Sequence, residues 1–334
     1  MLRVLQSTPA PGPRTNPYVH QLHTALRQAG VEVVPFAWRV ALTGRYDLFH
    51  VHWAEILVKG HDPVRTAARR VLTALLVLRL SVTRTPVVRT LHNVRPHEPV
   101  RGLPGLLLAA LGRRESWWIR LNGTTPVPDA DRTTTIPHGH YRDWFAGAQS
   151  TSPVPGRLVL PGLVRAYKGY DEIVDALQLL GSEVSLHLVG AVQDKQLEDR
   201  LREAASRDPR LIVTLRHVDD AELAIAVQEA QLVVLPYRDL QNSGAALLAL
   251  SVGRPVLLPR SPAAQALADE VGRDWVSLAG AGDPQSLASA ISEALSRTLV
   301  GPGGEPDLSA RGWDRGAQLH LAAYTAAFAA KGPA

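Results

Sequence analysis

The feature that most limits the fold of this chain is an alternation that runs twice. Short apolar runs alternate with segments whose apolar side chains recur at helical spacing; the series stops at the Ser/Thr/Pro-rich stretch 149–156 and then begins again. In the first half, residues 2–5, 31–34, 47–52, 86–91 and 117–121 read as strands, and 17–28, 63–80 and 103–111 as helices. In the second, 158–160, 184–189, 211–213, 232–235 and 255–258 read as strands, and 169–180, 194–207, 219–230 and 243–252 as helices. Strands joined by helices can pair only in parallel, and parallel strands are covered on both faces, which explains their near-continuous apolar character. The expectation is an α/β chain with two doubly wound parallel sheets facing a cleft, and a terminal helix over 313–328. In such sheets ligands sit beyond the carboxyl ends of the strands.

At 334 residues the chain exceeds one ordinary core. It has no cysteine, which excludes a disulfide framework and a thiolate metal site and suits a reducing compartment. Charge is uneven: residues 1–150 hold 19 Lys/Arg against 9 Asp/Glu, a net +10, while the remainder is −5. A basic half points to an anionic partner, a membrane surface or a nucleic acid. Basic loops with interleaved aromatics are absent, which argues against nucleic acid. Val4-Leu5 is followed at once by Gln6-Ser7-Thr8-Pro9, so no signal-peptide core is present, and the apolar run 71–82 is broken by Arg79. The expected location is cytoplasmic, with membrane association open.

Two loops carry the most chemistry. Leu160-Pro161-Gly162-Leu163-Val164-Arg165-Ala166-Tyr167-Lys168-Gly169-Tyr170 runs from a strand end into a helix start. Free helix amides with Arg165 and Lys168 would suit a pyrophosphate, Arg as a fork and Lys as a point charge; the alternative is a solvated basic loop. Leu235-Pro236-Tyr237-Arg238-Asp239-Leu240-Gln241-Asn242-Ser243-Gly244 has the same placement, with Ser243 able to cap the helix and Gly244 able to let a diphosphate approach. An ordinary turn would use the same residues.

Taken together, the first loop, Ala230-Gln231-Leu232-Val233-Val234-Leu235-Pro236-Tyr237, Asn242-Ser243-Gly244 and Ser251-Val252-Gly253-Arg254-Pro255-Val256 resemble the donor domain of GT-B glycosyltransferases. The similarity is to the family-four-like group and to bacterial polysaccharide β-mannosyltransferases that use GDP-mannose. In the first half, Phe49-His50-Val51-His52-Trp53-Ala54-Glu55, Thr90-Leu91-His92-Asn93 and Ile136-Pro137-His138-Gly139-His140-Tyr141 also resemble that group's loops. The resemblance implies an acceptor-binding domain over 1–150, a nucleotide-sugar donor domain over 151–308, and a tail over 309–334 whose Trp313 and Tyr324 cross back to the first domain. It implies that Arg165 and Lys168 hold the donor diphosphate, that Asn242, Ser243 and Gly244 bind phosphate or ribose, that His92 touches the donor sugar, and that Gly12 lies in the first glycine-containing loop. It implies a hexosyl transfer, GDP-mannose being the first donor to test, to a glycan or lipid-linked acceptor. The nucleoside-diphosphate sugar is a co-substrate, and neither a cofactor nor a metal is expected.

One departure bears on mechanism. Retaining members of the group carry two Glu where this chain has Leu240 and Leu248. Inverting transfer fits better, and it needs a general base. His92 and Glu98 lead the candidates, with His97, His50, His52 and Glu55 beside them. The pairs His50/His52 and His138/His140 could instead bind zinc. Asp129-Ala130-Asp131 matches a metal-dependent transferase motif but lacks a preceding apolar strand. The Arg-punctuated segment 63–114 suits either an anionic membrane or a core-packing helix with a solvated Arg face. The alternative function is a non-catalytic nucleotide-sugar binder or partner subunit; a GT-B epimerase would need cleft carboxylates for which no signature is seen.

Overall fold

The computed structural model describes residues 1–12, 15–92, 102–147, 149, 151–237, 242–280, 282–298 and 304–330. In chain order the first elements are β1 (Arg3–Gln6), α1 (Pro17–Gln28), β2 (Glu32–Val34), α2 (Trp38–Thr43), β3 (Leu48–Val51), α3 (Pro63–Val82), β4 (Val87–Leu91), α4 (Gly102–Gly112), β5 (Glu115–Arg120), β6 (Thr133–Thr135) and α5 (Arg142–Phe145). There follow β7 (Val154–Pro161), α6 (Tyr170–Leu177), β8 (Ser185–Val189), α7 (Lys195–Arg207), β9 (Leu211–Thr214), α8 (Asp220–Gln228), β10 (Ala230–Val234) and α9 (Gly244–Ser251). The series ends with β11 (Val256–Pro259), α10 (Pro262–Val271), β12 (Val276–Ala279), α11 (Pro284–Thr298) and α12 (Trp313–Ala329).

The chain divides into two compact units, one of residues 1–139 and 310–334 and one of residues 140–309. The first holds a six-stranded sheet in the order β2-β1-β3-β4-β5-β6, every pair parallel. Successive residues serve opposite faces, as the pleat requires. Val4, Leu48 and Val88 join Tyr18, Leu22 and Leu26 of α1 and Tyr324 of α12 in one core. Their neighbours Leu5, Phe49 and Val87 join Leu76 and Leu80 of α3 and Leu111 of α4 in another.

The second unit holds a sheet in the order β12-β11-β10-β7-β8-β9, also parallel throughout, around one core. The strand order reverses between β10 and β7, so the loops after these two strands flank its switch point. Short polar caps set the helix starts. Asn16, Asp62, Asp194, Asp219, Ser243 and Ser261 each accept a backbone N–H of the first turn.

Two boundaries differ from the sequence expectation. The division falls at Gly139/His140, not at 150/151, because Tyr141 and Phe145 pack into the second core. β7 begins at Val154, inside the segment expected as a linker, since Val154 pairs with Ala230 across a register shift.

Two glycines carry opposite predictions. Gly190 has φ +147°, and a Cβ there would lie 2.2 Å from the Gly162 carbonyl oxygen. Gly316, inside α12, would present a Cβ to open space. In urea unfolding, Gly190→Ala should lose about 2–4 kcal/mol, and Gly316→Ala should gain about 0.5–1 kcal/mol.

Candidate active site

In the second unit the loop after β7 is pinned on both sides. Gly162 N donates to Val189 O and Val164 N to Ala191 O, tying it to the end of β8. Gly169 closes the 3-10 turn Ala166–Lys168 in the left-handed region, φ +74°. A Cβ at Gly169 would stand 2.4 Å from the Pro236 carbonyl oxygen, so only glycine lets this loop press against the end of β10. That closeness buries Lys168, whose ammonium lies 5.1 Å from the centre of the Tyr237 ring. Burial, with Arg165 beside it, pulls the Lys168 pKa down to about 8. Arg165 itself is exposed.

The hydroxyls of Tyr170 and Tyr237 are buried in the same region with no hydrogen-bond partner. Ser243 Oγ accepts from Ala246 N at 3.1 Å and opens α9. A Cβ on Gly244 would come within 3.3 Å of the Tyr141 hydroxyl, so glycine gives that hydroxyl room beside the start of α9. Beside these loops a pocket of about 310 Å³ opens at the ends of β10, β11 and β12, with Glu172, Pro236, Tyr237, Arg260 and Asp283 in its wall.

In the first unit the ends of β1, β3 and β4 gather imidazoles. His50 is buried, with Nδ1 on the Tyr324 hydroxyl at 2.8 Å and Nε2 on Thr90 Oγ1 at 2.8 Å. His52 is buried, with Nε2 on Gln6 Oε1 at 2.9 Å and Nδ1 on His92 Nε2 at 3.0 Å. With Gln6 Oε1 as acceptor, His52 Nε2 carries the proton and His52 Nδ1 accepts from His92 Nε2–H. The lone pair of His92 is then on Nδ1. His92 keeps part of its surface exposed. It stacks on Trp53 at 4.2 Å and meets the edge of Tyr18 at 5.3 Å. Tyr18 also contacts His138 and Trp313. Trp313 fits because Gly139 has no side chain: a Cβ there would be 2.4 Å from the indole.

Burial makes all of these imidazoles poor bases. It lowers His92 to about 3 and His23, His138 and His320 to about 4, and holds His50 and His52 well below 6.5.

Residues 155–297 match the glycosyl transferases group 1 family. A GDP-mannose:glycolipid 4-β-D-mannosyltransferase of Xanthomonas campestris pv. campestris is 42% identical over 100% of this chain and 95% of its own length. A second relative of the same name and organism is 41% identical over the same shares. This chain belongs to their family of glycosyltransferases. Among solved structures, Anabaena Alr3699/HepE with UDP-glucose matches at TM-score 0.63 and 15% identity, covering 99% of this chain and 97% of that one. AviGT4, a glycosyltransferase of avilamycin A biosynthesis, matches at TM-score 0.62 and 16% identity, covering 97% of each. The fold is GT-B, and the chain is an enzyme of the transferase class.

For a glycosyltransferase the candidates separate as follows. Arg165 and Lys168 flank the β7 loop, and Asn242, Ser243 and Gly244 form the start of α9 in the same unit. Gly12 lies beyond β1, where an added Cβ would meet open space, so nothing in the protein itself demands glycine there. His50 and His52 have both ring nitrogens engaged, whereas His92 reaches the surface. Glu98 and His97 lie outside the described residues, as does Leu240. Leu248 is buried in the second core. Among the described residues no group of three His, Asp or Glu is placed to hold a metal ion.

Sequence reading overlooked Gln6, Tyr18, Tyr170 and the pocket wall. Gln6 was legible as the last residue of an apolar strand, where a polar side chain is buried only if it has a partner.

Two pH effects follow. The buried histidines bind fewer protons folded than unfolded, so below about pH 6.5 each weakens the fold by up to about 1.4 kcal/mol per pH unit. The melting temperature should fall steeply from pH 6.5 to 5, and less so in His320→Leu. Lys168 is cationic only below about 8. Affinity for GDP, read by calorimetry, should therefore fall as pH rises from 7 to 9, and Lys168→Met should be weaker and flat.

Proposed function

We propose that this enzyme transfers mannose from GDP-mannose to a hydroxyl of a lipid-linked glycan, with inversion at the anomeric carbon. The observation that carries this reading is the 42% identity over the whole chain to a relative named for that donor, a glycolipid acceptor and a 4-β linkage. A β product from the α-configured sugar nucleotide is an inversion. The acceptor oxygen attacks C1, the bond from C1 to the phosphate oxygen breaks, GDP leaves, and the acceptor proton passes to a base. Leu248 supports this in part, since the buried side chain where retaining relatives carry Glu brings no carboxylate.

Arg165, Lys168 and the amides at the start of α9, with Asn242, Ser243 and Gly244, take the negative charge that develops on the departing diphosphate. Gly12 lets backbone approach the donor. His92 Nδ1 orients a sugar or acceptor hydroxyl by accepting a hydrogen bond, its lowered pKa making it a poor base, and Glu98 is the better candidate for the base that takes the proton. A lipid-linked acceptor places the reaction at a membrane surface, on its cytoplasmic side.

Release of GDP should be seen with GDP-mannose plus lipid-linked glycan, and not with UDP-glucose or without acceptor. Turnover with another nucleotide sugar in preference would overturn the donor assignment. Arg165→Ala and Lys168→Ala should each weaken GDP binding by about 10–100-fold. His92→Ala should lower kcat by about 10²–10⁴-fold while GDP affinity holds. Unchanged GDP affinity in both cation variants would contradict the donor site.

A further inference from the structure

Helix α3 reverses the usual arrangement of a surface helix. Its inward face carries Thr73, Leu76 and Leu80. Its outward face carries Val64, Val71, Leu75, Leu78 and Val82, which are 79%, 61%, 46%, 60% and 75% exposed. Those positions are three, four or seven residues apart and form one stripe. The arginines that could have solvated this face turn away from it. Arg79 donates to the carbonyl oxygens of Val40, Ala41 and Gly44, and Arg69 to those of Ile56 and Lys59. The solvated-Arg face that the sequence left open is therefore not what the helix presents. Helix α4 packs beside α3 and adds Leu103 and Leu106, again mostly exposed.

An apolar surface of this extent marks a contact site. Its electrostatic surroundings select the partner. Neither helix holds an acidic residue. Arg65, Arg84 and Arg113 are exposed at the helix ends. A second copy of the chain would bring two basic rims together, and a nucleic acid would leave the aliphatic stripe in water. An anionic lipid surface satisfies both, with acyl boundary against the stripe and headgroups against the arginines. No described helix is long and apolar enough to cross a membrane, so the contact lies in the interface plane.

We propose that the outward face of α3 and α4 docks this enzyme on anionic phospholipid bilayers. The proposal deepens the lipid-linked acceptor reading and rests on it only for the use of the contact, not for the contact itself. The test is flotation of the full chain with vesicles of equimolar phosphatidylcholine and phosphatidylglycerol, and with phosphatidylcholine alone. The chain should float with the first and much less with the second. Val71→Glu combined with Leu78→Glu should weaken flotation at least about tenfold at unchanged melting temperature, and Arg84→Glu with Arg113→Glu should weaken it on the anionic vesicles alone.

A chain that stays in the soluble fraction with both vesicles, or variants that float like the parent, would overturn the proposal. So would a dimer abolished by the Val71/Leu78 pair, or retention by RNA without flotation. Turnover on a water-soluble acceptor analogue reads the other assignment separately: flotation without turnover would remove the acceptor reading and leave the docking face standing.

Discussion

Parallel pairing is the constraint from which the rest of the structure follows. A parallel strand must be followed by a crossover, so each sheet delivers all its carboxyl ends to one edge and leaves the connecting helices to cover both faces. In the first unit Val4 and Leu5 serve opposite cores for that reason. The same rule brings Gln6, His50, His52 and His92 together from β1, β3 and β4, though they are far apart in sequence. In the second unit it sets the Gly162–Gly169 loop against Pro236.

The two units treat charge in opposite ways. The first buries imidazoles and holds them neutral, with both ring nitrogens of His50 and His52 on a hydroxyl, an amide oxygen or another imidazole. Among His50, His52 and His92, the last keeps part of its surface exposed. The second unit buries a cation, Lys168, against an aromatic ring. Partial desolvation raises the value of any anion that reaches it, because a diphosphate would restore the solvation that burial removed.

Much of this was legible in the sequence. The strand positions, the helix starting at Pro17 and the cap at Ser243 follow from periodicity and cap chemistry, and the structure has them within a few residues. The loop after β7 was legible as a strand-end loop leading into a helix because charge and glycine stand together there. Other features were not legible. His50, His52 and His92 look alike in sequence, and only burial distinguishes two structural rings from one that reaches the surface. Residues 262–298, which form α10, β12 and α11, are rich in Ala and Ser and give weak periodicity, although Ser261-Pro262 was a readable cap. The direction of α3 could not be read either, since its arginines and aliphatic residues both recur at helical spacing. The carbonyls of Val40, Ala41 and Gly44, distant in sequence, decide which side Arg79 takes.

The central claim is inverting mannosyl transfer by a chain with Leu248 where retaining relatives carry Glu. The most direct measurement is the anomeric configuration of the first product formed from GDP-mannose, read by the one-bond carbon–proton coupling at C1 before any equilibration. A β-mannoside is the result this account requires. An α-mannoside would contradict it and would mean that retention proceeds without the carboxylate pair.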